Sequence, residues 1–355
     1  MSRKAQKILK TIRLLIGLIL FFSVLFLAFL MYFNAPPRNN PPIQTGEGLR
    51  IEPGGTVYLE VRRGESAQSV GKRLEEAGII KSRYFWHLLS RFDQEYIKTG
   101  SYQLELPLSQ LNLRAILVSG RQMLQRVTIP EGITLKKMAR LFEDAGVCGA
   151  GAFLAAAEDQ ELLDRYHILG KTMEGYLYPD TYLFPPDYPP GRVIRTMADT
   201  FFERLAQFGG DYSGLSPEEL QRRVIIASIV EREYRVDEEA ALMAGVFYNR
   251  LRIGMALQSC ATVEYVITEI QGRPHPDVLY SRDTEIRDPY NTYIRPGLPP
   301  GPISSPGAIA LNAAFHPAAS DYLYFRLVDA SVGRHYFSRT LDDHIRAAAL
   351  YVKGR

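Results

Sequence analysis

Leu220, Val224, Ala227 and Glu231 recur at i, i+4, i+7 and i+11 and therefore share one stripe of a helix. From Val224 to Val230 every residue except Ser228 is apolar, so that helix lacks a wide wet face and must be largely buried. A carboxyl at the inner end of a buried helix is a candidate general acid, because burial disfavours its charged form and keeps the proton available near neutral pH. Periodicity alone leaves a second reading open, in which Glu231 begins the polar end of the helix and pairs with Arg235 at i+4. Glu233 lies about 200° around the helix from Glu231 and cannot share its site. Cys260 is a poor nucleophile, since its own block holds no histidine to activate a thiolate.

The element that positions Glu231 starts at Ser216-Pro217-Glu218-Glu219: a side-chain cap, proline at the first helical position and a carboxylate at the third. The chain around it has 355 residues, 46% of them hydrophobic, enough for two or three domains with real cores. A net charge of +3 is small for this length and gives no nucleic-acid footprint. Two cysteines, Cys148 and Cys260, exclude a disulfide-built scaffold and read as free thiols.

Residues 14–33 form an uncharged apolar run long enough to span a bilayer, preceded by Arg3, Lys4, Lys7, Lys10 and Arg13. The basic cluster predicts a cytoplasmic N-terminus for residues 1–13 and places everything after Asn34 outside. The run is too long for the apolar core of a signal peptide and no small-x-small cleavage site follows, so it reads as an uncleaved single-pass anchor. Residues 34–56, rich in Pro, Gly and Asn, read as a linker.

A repeat follows. The segment from Val61 matches the segment from Ile129 at a constant offset of 68: Gly64 with Gly132, Ser66 with Thr134, Gly78 with Gly146, Phe85 with Phe153. Each copy predicts a strand, a turn at Gly, a helix capped by Ser66 or Thr134, a glycine stop and a second helix. In the first copy residues 100–104 read as the returning strand and 113–118 as a further helix. The pattern is similar to the LysM module, a βααβ unit that binds amino-sugar glycans; Tyr84 and Trp86 are the aromatics that would mark a sugar face. Mere packing of the copies against the rest is the other reading.

Downstream, Glu174 to Tyr182 reads as an aromatic strand and turn, 192–208 as a helix ended by Gly209-Gly210, and 237–252 as an amphipathic helix stopped at Gly254. Residues 255–267 should begin extended and end helical. The prolines of 288–306 dictate a long ordered loop, the kind that carries function. Strands at 323–327 and 335–338 and a helix over 340–352 complete the chain.

The blocks ASIVERE (Ala227 to Glu233), FYNRLRIGMALQS (Phe247 to Ser259), YNTYIRPGLPPGPISSPG (Tyr290 to Gly307), EGYLYPDTY (Glu174 to Tyr182) and the His316 to Phe325 segment resemble the endolytic murein transglycosylases of the YceG-like family. The resemblance runs from Val57 to Tyr351. It implies an α+β protein with a single transmembrane helix, a LysM-like module at 57–126 and a mixed α+β catalytic domain at 127–355 that embeds the second copy, residues 129–170. It also implies a bacterial inner-membrane enzyme that cuts within peptidoglycan glycan strands and leaves 1,6-anhydro ends on N-acetylmuramic acid, working beside cell-wall synthases. The first Glu of the ASIVE block, here Glu231, is the family's essential acid.

That chemistry explains how one carboxyl can suffice. Ordinary glycosidases pair an acid with a nucleophile or a base, whereas here the sugar's own C6 hydroxyl attacks C1 with the advantage of proximity. Neutral Glu231 would protonate the glycosidic oxygen and then accept the C6 proton. Gln258, Asn291 and Tyr293 are candidates for orienting the sugar, since each hydrogen-bonds without competing for that proton; pinning of the loop is the alternative for all three. Glu174 is a further substrate-binding candidate. One departure stands out: the family commonly carries Asp-Pro after Leu-Gln-Ser, where this chain has Cys260-Ala261. A catalytic Asp there would leave this chain inactive and make it a glycan-binding scaffold of the synthesis machinery; a turn-forming Asp would be replaceable. No metal cluster, phosphate loop or nucleotide motif occurs, so no cofactor is expected.

Overall fold

The computed structural model describes residues 3–37, 48–51, 56–92, 96–120, 124–208 and 212–351. The chain is a mixed α+β protein in two compact units, Met1–Leu124 and Gln125–Arg355.

The first unit opens with α1 (Arg3–Asn34). Among the described residues its Arg13–Asn34 portion is the one segment long and apolar enough to cross a membrane, with its apolar side chains turned outward. An antiparallel sheet of β1 (Leu49–Ile51), β2 (Thr56–Val61) and β3 (Gly100–Glu105) follows, in the order β1-β2-β3. Strand β1 corrects the reading of 34–56 as linker throughout. Leu49 and Ile51 alternate in strand fashion opposite Leu59 and Val57, and Leu49 is buried. Residues 38–47 and 52–55 of that linker lie outside the described residues.

Between β2 and β3 run α2 (Ala67–Glu76) and α3 (Arg83–Phe92), and α4 (Gln110–Ser119) packs after β3. Helix α4 starts three residues before the predicted point because the Ser109 side chain accepts the Asn112 N–H. Trp86 is a second correction: it is fully buried, donates its indole N–H to the Ala67 carbonyl at 2.8 Å, and lies so close to Gly71 that a Cβ there would be 2.4 Å from its ring. It belongs to the core with Val57, Leu74, Tyr102 and Leu113 and cannot line a sugar face. Tyr84 is exposed.

The second unit repeats the order strand, helix, helix, strand. Strand β4 (Gln125–Thr128) leads into α5 (Leu135–Asp144), α6 (Ala150–Ala157) and α7 (Gln160–Arg165), and β5 (Thr181–Phe184) returns antiparallel to β4. The duplicated glycines share left-handed backbone: φ is 78° at Gly64 and 70° at Gly132, 74° at Gly78 and 68° at Gly146. The second copy departs from the first by adding α7 and a turn, so its returning strand comes only at Thr181. Residues 174–180 are therefore irregular, not strand, and Glu174, Tyr176, Leu177 and Tyr178 are buried there.

Helix α8 (Pro190–Phe208) precedes α9 (Pro217–Glu233), where Ser216 accepts the Glu219 N–H as expected, while the Glu219 carboxylate takes Arg223 at 2.9 Å instead of reaching back to the cap. Gly209-Gly210 lies outside the described residues. A 3₁₀ turn at Asp237–Glu239 leads into α10 (Ala240–Arg252), and α11 (Cys260–Tyr265) widens into a π turn at Val266–Ile270. After the proline-rich loop come α12 (Ala308–Phe315), the hairpin of β6 (Tyr324–Asp329) and β7 (Arg334–Ser338), and α13 (Leu341–Arg346). The closing helix is shorter than predicted and ends in a 3₁₀ turn at Ala347–Leu350. Helix α9 is the centre of this unit. Every residue from Val224 to Val230 is buried, with α10, α11 and α12 packed on it.

Candidate active site

Ser228, the one polar side chain in the apolar run of α9, ties the proline-rich loop to the helix. Its Oγ donates to the Ile225 carbonyl at 2.8 Å and accepts the Ile303 N–H at 3.0 Å, and its carbonyl accepts Ser304 Oγ at 3.0 Å. A second clasp joins the same loop to the turn after β4. The Gly132 N–H donates to the Ser305 carbonyl at 2.9 Å, and the Ser305 N–H to the Ile133 carbonyl at 2.8 Å. Gly175, at φ 83°, makes room beneath it: a Cβ there would stand 2.3 Å from Pro302 Cβ. Held on three sides, the loop aims the Gly307 N–H at Glu231 Oε2, 2.9 Å away.

Glu231 therefore does not pair with Arg235; its carboxyl, one turn past Ser228 on α9, is turned to Gly307. Burial pushes its pKa up to about 8. The Gly307 N–H and the guanidinium of Arg232 act in the opposite direction, while the charges of Glu131 and Asp237 add to the rise. Arg232 is itself engaged by Glu264 at 2.8 Å. Tyr178 and Tyr234 close the surroundings, and both phenols are raised, first by burial and further by the charges of Glu131 and Glu231, with Arg204 opposing the rise at Tyr178. A carboxyl that stays protonated through neutral pH, with one backbone donor ready to stabilise its anion, can give a proton and take one back.

Glu131 was not reached by sequence reasoning. A Cβ placed on Gly307 would come within 1.8 Å of Glu131 Oε1, and one on Gly132 within 3.7 Å of Glu231 Cγ. The two carboxyls thus approach the same stretch of backbone. The signal was present in the repeat, where Glu131 occupies the position held in the first copy by Arg63, a reversal of charge at the turn.

The other expected site residues gather elsewhere. Glu233, on the opposite side of α9, accepts hydrogen bonds from Ser259 Oγ and the Ala261 N–H, and burial raises its pKa. Cys260 sits beside it with Sγ 3.1 Å from the Tyr293 hydroxyl. The Cys260-Ala261 departure therefore falls at the start of α11, in the Glu233 cluster. Gln258 donates its N–H to the Thr292 carbonyl at 3.0 Å and takes a left-handed φ of 48°, which leaves its side chain exposed. Asn291 is fully buried. Its amide nitrogen donates to the carbonyls of Thr284 and Ile286, and its oxygen accepts the Tyr293 N–H, which is the loop-pinning alternative. Glu174 receives the Leu135 N–H at 3.2 Å on both oxygens and a Tyr265 hydroxyl at 3.4 Å. It thereby caps α5, where Thr134 makes no side-chain cap bond, and burial with nearby Glu269 raises it to about 8. Both cysteines are free thiols, and no cluster of metal-ligating side chains occurs among the described residues.

Residues 59–349 match the YceG-like family, and the chain belongs to that family. Its relatives include the endolytic murein transglycosylase of Streptococcus pneumoniae serotype 2, 29% identical over 94% of this chain; the chain spans 66% of that protein's length. The endolytic murein transglycosylase of Bacillus subtilis is 27% identical over 84% of this chain and 86% of its own. A YceG-like protein of Listeria monocytogenes, known from a crystal structure, superposes with a TM-score of 0.54 at 29% identity, covering 82% of this chain and 98% of the other.

Proposed function

We propose that this chain is an endolytic lytic transglycosylase that cleaves the β-1,4 bond between N-acetylmuramic acid and N-acetylglucosamine inside peptidoglycan strands. The observation that carries the reading is Glu231: a carboxyl at the buried end of α9, protonated up to about pH 8, hydrogen-bonded by the Gly307 N–H. The names of the relatives in Streptococcus pneumoniae and Bacillus subtilis support the same substrate class.

In this mechanism the Glu231 proton passes to the glycosidic oxygen as the C1–O bond breaks. The muramic C6 hydroxyl then attacks C1 and surrenders its proton to the Glu231 carboxylate, which restores the acid and consumes no water. The Gly307 N–H steadies the carboxylate between the two transfers. Tyr293 and Gln258 lie with the Glu233 cluster and are not assigned to the bond that Glu231 cleaves, and Asn291 sets the loop that carries Tyr293. Glu174 acts through α5, whose first turn it holds. The departure at Cys260 falls beside Glu233, and Glu231 keeps its own partners, which favours an enzyme over a scaffold.

We read α1 as a single-pass anchor with the N-terminus in the cytoplasm and everything after Asn34 outside, beside the cell-wall synthases, and the βααβ copies as LysM-like glycan contacts. Reporter fusions after Arg355 should be active only outside the cytoplasm; a cytoplasmic C-terminus would remove access to the substrate. The mechanism is tested by Glu231→Gln, which keeps shape but cannot deliver a proton. Chromatography of digested glycan strands should show 1,6-anhydro ends falling by several orders of magnitude with no loss in the thermal melt. Anhydro ends at the wild-type rate, or reducing ends from the wild type, would overturn it.

A further inference from the structure

We propose that Glu131 is a second functional carboxylate of this site: a positioning residue that sets a negative charge across Gly307 from Glu231 and so governs when Glu231 can give up its proton. The inference rests on Glu231 being the acid. Glu131 enters through a turn whose register is fixed twice, by Gly132 N–H to Ser305 O and by Ser305 N–H to Ile133 O. The same short stretch, Ser305 to Gly307, delivers the N–H that Glu231 accepts. Both carboxyls thus approach one piece of backbone.

The φ of −83° at Gly307 is open to any residue, so glycine is not needed there for backbone conformation. The space over its Cα is taken by the Glu131 carboxyl: a Cβ would lie 1.8 Å from Glu131 Oε1 and 2.2 Å from its carboxyl carbon. A side chain that served only to fill the turn could be apolar; Glu131 is instead exposed, with its charge kept in water on one side and against the site on the other.

The groups that face Glu231 have opposed effects. Arg232 on α9 and the Gly307 N–H favour the anion, and Asp237 in the following turn and Glu131 oppose it. Tyr178 and Tyr234 face the same space as neutral phenols. Arg232 is shared with Glu264, and His275 also reaches that carboxylate at 3.4 Å. Of the two opposing carboxylates, Glu131 has the larger effect and is the one that lies against Gly307. A nearby like charge disfavours the anion, an effect of about one pH unit for a partner exposed to solvent.

The experiment follows the rate of 1,6-anhydro-end formation against pH for the full-length wild type, Glu131→Gln, Glu131→Asp and Glu231→Gln, with thermal melts of all four. Glu131→Gln keeps the packing on Gly307 and removes only charge. Its high-pH limb should move down by about one unit, a loss of about tenfold at the alkaline end and almost none on the acid side. Glu131→Asp should keep the limb near its wild-type position, and melting temperatures should be unchanged. A Glu131→Gln limb that stays in place, or a loss equal at every pH and shared by Glu131→Asp, would make Glu131 a packing residue and overturn the inference alone. Activity surviving in Glu231→Gln would instead overturn the acid assignment beneath it.

Discussion

Ser228 and Ser304 are locked together at the heart of the second unit, the Ser304 hydroxyl donating to the Ser228 carbonyl at 3.0 Å with both side chains fully buried. This contact couples the helix that carries Glu231 to the loop that carries Gly307. It converts two segments more than seventy residues apart in sequence into one rigid frame. The Glu231 carboxyl is held by its helix and the Gly307 N–H by the loop, so the contact between them depends on this seam.

Ser228→Ala should loosen it. The Ile303 N–H would be left buried without its acceptor, at a cost of about 1–3 kcal/mol, or several degrees in melting temperature for a unit of this size. Turnover should fall with little change in KM, because Gly307 no longer holds its register on Glu231. Hydrogen exchange at Ile303 and Gly307 should accelerate together. Unchanged exchange at Gly307 would show that the clasp at Ser305 suffices.

Glu174 gives the stability a pH dependence of defined sign. Its carboxyl holds a proton up to about pH 8 in the folded chain, whereas an unfolded glutamate loses it near pH 4.3. The folded state therefore binds more protons between those values. The stability contributed by the neutral form is complete below the unfolded pKa and is lost as pH rises to about 8. Glu231 slopes the same way, so the difference between Glu174→Gln and wild type is the readable quantity. Glu174→Gln keeps an acceptor for the Leu135 N–H and should gain on the wild type by a few kcal/mol between pH 5 and 9 in denaturant melts. A constant difference across that range would refute the buried neutral carboxyl.

The two units have separate cores, one built from Leu49 to Leu117 and the other from Val127 to Phe315. Removing residues 48–120 should therefore leave the second unit folded, with its melt retained. If the first βααβ copy contacts glycan, binding to insoluble sacculi should weaken severalfold while cleavage of soluble strands persists. Undiminished pull-down would make that copy a packing element.

What the sequence determined by itself is what local pattern encodes. The cap at Ser216, the apolar run and the stripe ending at Glu231 define α9 because helix formation and burial are written at spacings of three and four residues. The apolar span of α1 and the 68-residue register of the two copies are legible for the same reason: each is a periodicity within one segment or between two. Tertiary structure decided everything that depends on which distant segments meet. Whether Glu231 turns to Arg235 or to Gly307 rests on a loop 76 residues away. That the Glu131 carboxyl lies over Gly307 rests on the turn after β4 meeting the loop before α12. Asn291 and Trp86, both plausible sugar contacts by residue type, were drawn into the interior because their polar atoms find backbone partners there. Residue type limits the chemistry a side chain can do, but only the packing of α9 against the turn after β4 and the loop before α12 chooses the carboxyl that turns to Gly307.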